Sequence, residues 1–220
     1  MRNAGLAVAA LALALTVGCN KDSGSTTDGT AVGTAGRSDN GVSSGDRDFV
    51  RDVATMNTAE IELARLATAQ GAGADVKQFA QMMVTDHNGA GEKLKMYAAQ
   101  HNIEVPAQLD DKHRDLSTKL AEKRGLEFDR AYADAMVDAH QDFVDKLESR
   151  IDKDTLTRAT ADNKNAPDAS VKATAVMAEK SDNPNTMALN EWAAATYPVA
   201  YAHLEAAKDL RDGVRKRSTN

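Results

Sequence analysis

The sequence is poor in the residues that staple, punctuate or stiffen small folds. Its 220 residues include one cysteine, so no internal disulfide can form. Aromatic residues make up 4%, and β-branched residues are sparse outside the Thr-rich segments, which weighs against an all-β sandwich. There is no long basic block. Lys and Arg number 27 against 33 Asp and Glu, a formal charge of −6, so little is available to neutralise phosphates and no nucleic-acid partner is expected. The chain contains no Gly-rich phosphate loop, no nucleophile elbow and no Cys–His nucleophile pair, and it reads as non-catalytic. What remains is 42% apolar and rich in Ala, Lys, Glu, Asp, Leu and Met, a helix-forming mixture with enough apolar surface for a core.

The N-terminus reads as an address. Arg2 precedes an apolar run over 4–17 that is too short to remain as a membrane-spanning helix, so 1–18 is expected to be a signal peptide. The run ends in Thr16-Val17-Gly18-Cys19, which resembles the lipobox of bacterial lipoproteins, with Thr16 where such boxes usually carry Leu. That resemblance implies lipidation of Cys19 and an anchor in a membrane. Asn20 in place of Asp points to the periplasmic face of the outer membrane. The alternative is cleavage by the ordinary signal peptidase, leaving a soluble periplasmic or secreted protein. The Gly-, Ser-, Thr- and Asp-rich segment that completes 19–46 cannot bury enough surface to offset its ordering entropy. As a flexible tether it would reach roughly 30 Å root-mean-square.

From 47 onward the apolar period is near 3.6. A first helix is expected over 47–70, with Phe49, Val50, Val53, Ile61, Ala64 and Ala67 inward, then a turn at 71–74. Asp75 and Gln78 have the spacing of a capping box and open a second helix that reaches about 102. Asp110 or Asp111 caps a short extra helix to about 123. A third long helix covers 126–152 and a fourth about 186–212, the latter burying Leu189, Trp192, Ala195, Val199, Ala207 and Leu210. Between them, 153–185 is a polar insertion with a helical turn or two around 169–180, and 214–220 is a basic tail. Two hairpins of amphipathic helices close most simply as an all-α four-helix bundle over 47–213.

Each inward stripe carries one polar residue: Glu60, His87, His140 and His203 on the four long helices in turn. Buried without partners they would be costly, so they should meet each other or something else. Glu60 lies 12 residues before position 72 and His87 lies 13 after position 74, which puts both roughly 18–20 Å from the first turn. His140 lies 12 residues before the expected end of its helix. His203 lies 18 after the expected start of its own, a mismatch of about 9 Å. One carboxylate and three imidazoles suit a single Zn, Cu, Ni or Fe ion. No Glu-x-x-His occurs, so the usual di-iron arrangement is disfavoured. The competing reading is a hydrogen-bonded polar layer that fixes the register of the bundle. Asp86 and Asp129 are candidates to orient the ligands from behind, with surface or capping roles as the alternative.

Taken together, Glu60-Ile61-Glu62, the run from Met82 to His87, Phe128-Asp129-Arg130-Ala131-Tyr132, Met136-Val137 with His140, and Pro198 with His203-Leu204 resemble an exported bacterial family. It is known as domain of unknown function four-one-four-two and is described as comprising outer-membrane proteins. The resemblance spans 48–210 and implies a ferritin-like four-helix bundle; it brings no established reaction. Three functions stay open: a tethered binding protein of the envelope or its stress response, a mononuclear metal-binding protein, and a structural module for a protein partner whose identity the sequence does not give.

Overall fold

The computed structural model describes residues 41–163 and 176–217, the side chains of 160–163 excepted. The expected signal peptide, Cys19 and the tether up to residue 40 lie outside the described residues, as do 169–175 and 218–220. Among the described residues six helices follow one another: α1 (Ser44–Gln70), α2 (Ala74–Gln100), α3 (Asp111–Ala121), α4 (Gly125–Glu148), α5 (Lys153–Asn163) and α6 (Pro184–Arg217). None among the described residues is long and apolar enough to cross a membrane.

The four long helices form the bundle. α1 and α2 pair as an antiparallel hairpin, as do α4 and α6, and α1 packs on α4 and α2 on α6. The link from α2 to α4 crosses the length of the bundle. At one end Tyr97 Oη donates to the Asn185 carbonyl, and at the other Gln70 Nε2 donates to the carbonyls of Leu120 and Lys123, just before α4 starts. Two hairpins joined by one full-length crossover give a ferritin-like four-helix bundle, and α3 is the short extra helix carried on the crossover. The core is a column of fully buried side chains that includes Leu63, Met83, Phe128, Tyr132, Met136, Leu147, Leu189 and Leu204. Each of the Leu, Met and Phe side chains contributes about 1.5–3 kcal/mol by leaving water.

Several local expectations change. The folded chain starts before residue 47: Val42 is buried, Ser43 is the N-cap of α1, and its Oγ accepts from the Asp46 N–H at 3.1 Å. Ser43 and Asp46 therefore belong to the bundle, because the cap satisfies a free helical N–H that tether residues would leave to water. Asp75 does not cap α2; Gly73 occupies that position without a side-chain cap of its own. The turn at 71–73 is held from another helix, and this decides the place of Asp129. Its two carboxylate oxygens accept from the N–H groups of Ala72 and Gly73, each at 2.8 Å. Asp110, and not Asp111, caps α3 by accepting from the His113 N–H at 2.8 Å.

The polar insertion holds the helix α5 where loop was expected, and residues 176–180 are not helical. Ala178 instead bridges to Ile151 in antiparallel fashion. The basic end is not a tail throughout, since α6 continues to Arg217. There Arg217 pairs with Asp75 at 2.6 Å and Arg215 with Asp134 at 2.9 Å. On the inward face of α6, Ala195 and Val199 are exposed and Trp192 is half-buried, while Ala193, Tyr197, Ala200 and Leu204 are buried. In α1, Leu63 is buried and Ile61 only half-buried.

Candidate metal centre

Glu60, His87, His140 and His203 come from α1, α2, α4 and α6, one from each wall of the bundle, and all four are buried. The ring centroids of the three histidines form a nearly equilateral triangle of 5.5, 5.6 and 5.5 Å. One potential ligand atom from each lies within 4.8 Å of the others. Glu60 Oε2 stands 2.9 Å from His87 Nε2 and 3.3 Å from His140 Nε2. The mismatch of level read for His203 is absent. The sequence count assumed that α4 ends where α6 begins, but α6 has 34 residues against 24 and starts well beyond the end of its partner.

The outer nitrogens are already engaged. His87 Nδ1 lies 3.1 Å from Asn57 Oδ1, and His140 Nδ1 lies 2.9 Å from the Met136 carbonyl. Both partners are acceptors, so each ring carries its proton on Nδ1 and leaves Nε2 as the inward atom. His203 Nε2 lies 3.0 Å from Asp86 Oδ2, and that carboxylate is partly exposed. Asn57 was not singled out in the sequence. It sits where α2 presents Gly91: a Cβ there would come within 2.6 Å of Asn57 Nδ2. The one available signal was this glycine, buried four residues beyond His87.

Charge in the cluster follows from these contacts. Burial favours a neutral Glu60, but the imidazoles of His140, His87 and His203 more than offset it and bring the carboxyl from 4.5 to about 2. Burial likewise opposes a charged His87, yet Glu60 raises its pKa above 6.5. His140 moves below 6.5, because burial together with the neighbouring histidines outweighs Glu60. The Asp86 carboxyl is lowered, chiefly by its hydrogen bond to His203 against the opposing effect of burial. Glu60 is thus held as a carboxylate, while the same surroundings push His87 and His140 in opposite directions.

Despite their short separations, Glu60 Oε2, His87 Nε2 and His140 Nε2 are buried without a hydrogen bond of proper geometry. Three such atoms converge with no donor aimed squarely among them, an arrangement that calls for a cation, either a proton or a metal. The dimensions suit the second. In a tetrahedral site with Zn–N of about 2.0–2.1 Å the donor atoms are about 3.3 Å apart and imidazole centroids about 5 Å apart. The carboxylate-to-nitrogen distances already match, and the histidine triangle needs only a small contraction. Tyr132 Oη is also buried without a partner, and burial followed by the Glu60 charge pushes its phenol upward.

The structure thus brings together Glu60, His87, His140 and His203, with Asp86 on the outer edge of His203. It does not bring Asp129, which is committed to the 71–73 turn at the end of the bundle. Fold and cluster define a class, an all-α bundle with a Glu/His₃ centre in its core. The chain itself belongs to the family described as Domain of unknown function (DUF4142), whose model matches residues 31–162. The matched segment holds Glu60, His87 and His140 and ends before α6 and His203. No curated protein and no solved structure matches the chain.

Proposed function

We propose that the protein is an envelope metal-binding protein that holds one divalent transition ion in its bundle core through Glu60, His87, His140 and His203. The observation that carries this reading is the set of converging, buried polar atoms, Glu60 Oε2 with His87 Nε2 and His140 Nε2, that lack a hydrogen bond of proper geometry. Imidazole with one carboxylate suits Zn²⁺, Cu²⁺, Ni²⁺ or Fe²⁺. The role is binding, for storage, sensing or protection from redox damage. None of the four residues lines either of two surface grooves, one along Arg65, Thr68, Gln81, Val84 and Thr85 and one around Glu148, Asp152 and Glu179. The lipobox-like Thr16-Val17-Gly18-Cys19 supports a lipid anchor at Cys19 and a place on the periplasmic face of the outer membrane.

The test is metal content by mass spectrometry on the full chain, purified without chelator or nickel resin, beside His87→Ala and His140→Ala. About one ion per chain, lost in both variants, supports the reading. Absence of uptake after supplementation with each of the four ions would leave the competing reading, a polar layer in which Glu60 neutralises His87 and sets the register.

A further inference from the structure

Each of the three histidines has one ring nitrogen tied to an oxygen behind it, but the pattern is not uniform. His87 and His140 are held at Nδ1, by Asn57 Oδ1 and by the Met136 carbonyl. His203 is held at Nε2, by Asp86 Oδ2 at 3.0 Å. A neutral imidazole that donates from one nitrogen has its lone pair on the other, and an oxygen acceptor behind a ligating histidine fixes which one that is. For His87 and His140 the free atom is Nε2, and both atoms lie against Glu60 Oε2. For His203 the free atom is Nδ1.

We infer that Asp86 is a positioning residue that holds His203 with Nδ1 as its ligand atom, so that the ion is bound by a mixed set of two Nε2 atoms, one Nδ1 and Glu60 Oε2. This rests on the metal-binding reading above and assigns the atoms within it. Asp86 is well placed for the task. It immediately precedes His87 on α2, so one helix supplies both a ligand and the carboxylate that orients the ligand across on α6. Its carboxylate is 26% exposed, against 9% for the His203 side chain, which places the pair at the rim of an otherwise closed cluster. Asn57 and the Met136 carbonyl supply neutral acceptors, whereas Asp86 supplies a charge that strengthens the hydrogen bond and so fixes the ring more firmly.

The experiment uses the full chain, labelled with ¹⁵N-histidine and loaded with ¹¹³Cd²⁺ as a spectroscopic stand-in for Zn²⁺. Metal–nitrogen couplings identify the ligating atom of each ring. The expected result is coupling to Nε2 of His87 and His140 and to Nδ1 of His203. Alongside it, Asp86→Ala should weaken Zn²⁺ binding about ten- to a hundredfold and abolish the His203 Nδ1 coupling, with Asp86→Glu restoring part of both. Coupling to His203 Nε2 in the wild-type chain, or unchanged Zn²⁺ affinity in a folded Asp86→Ala chain, overturns the assignment and leaves the metal site standing. A wild-type chain that binds neither Cd²⁺ nor Zn²⁺ overturns both.

Discussion

At the scale of single residues the centre depends on side chains that face it from behind. Gly91 leaves the space in which Asn57 reaches His87, and an added Cβ would stand 2.6 Å from the Asn57 amide nitrogen. That nitrogen ends a short side chain that can rotate away, and alanine is favoured over glycine within a helix by about 1 kcal/mol. Gly91→Ala should therefore change stability by no more than about 1 kcal/mol in urea unfolding. It should nonetheless weaken Zn²⁺ binding, measured by competition titration, because His87 Nδ1 loses its acceptor.

Glu60 sets the pH behaviour of the metal-free chain. Its carboxyl falls from 4.5 to about 2 on folding, so its contribution is fully present above pH 4.5 and is lost as pH falls toward 2. His87 rises above 6.5, so its contribution is present below 6.5 and is lost as pH climbs through the raised value. The pair thus stabilises most between pH 4.5 and 6.5. His140 acts in the opposite sense below 6.5, an effect that burial drives and Glu60 tempers. In urea unfolding across pH, Glu60→Gln should be less stable than wild type by about 3–5 kcal/mol inside that window, the cost of stripping one partner from a buried pair. The gap should close on both sides. A gap that does not vary with pH would contradict the charge assignment.

At the scale of helices the termini matter more than the middles. Asp129 reaches across from α4 to accept the N–H groups of Ala72 and Gly73, closing the α1–α2 turn and facing the positive end of α2. Asp129→Ala should cost about 2 kcal/mol by thermal or urea unfolding, the range of a lost cap on a buried carboxylate, with Zn²⁺ affinity unchanged. A loss of affinity equal to that of Asp86→Ala would restore Asp129 to the centre. At the other end Asp46 joins α1 to the rest: it accepts from Ser43 Oγ and Thr186 Oγ1, each at 2.7 Å, and pairs with Arg150, whose guanidinium stacks 4.5 Å over the Phe49 ring.

These contacts mark the boundary of what could be read from the chain. A period of 3.6 suffices in α2 and α4, where large buried residues such as Phe79, Met83, Phe128 and Met136 leave one choice of inward face. It is insufficient in α6. Alanine covers so much of that helix that Val199 and Tyr197 both fit an inward stripe, and packing chose the tyrosine, whose hydroxyl reaches Glu148 at 3.0 Å. Asp129 could not be placed because its partners are backbone N–H groups more than fifty residues away, and spacing carries no signal of them.

At the scale of the whole molecule the four-helix solution and the level of three members of the cluster were legible, since Glu60 and His87 share one tight hairpin and so one count from its turn. His203 was legible as a member but not in its level, because α4 and α6 are joined by the helix α5 and the bridge from Ile151 to Ala178, not by a turn that would fix their relative height. The crossover carrying α3 then makes α2 and α4 run the same way, so His87 and His140 enter the core with the same tilt toward their helix N-termini, and Glu60 and His203 with the opposite one. Four residues from four helices can then surround one point instead of lying in a stack. Whether an ion occupies that point is decided most directly by X-ray absorption at the zinc edge on the Zn²⁺-loaded full chain. Four N/O neighbours at about 2.0–2.1 Å with the outer-shell scattering of three imidazoles are expected. Sulfur in the first sphere, or one imidazole or none, would contradict the Glu/His₃ centre.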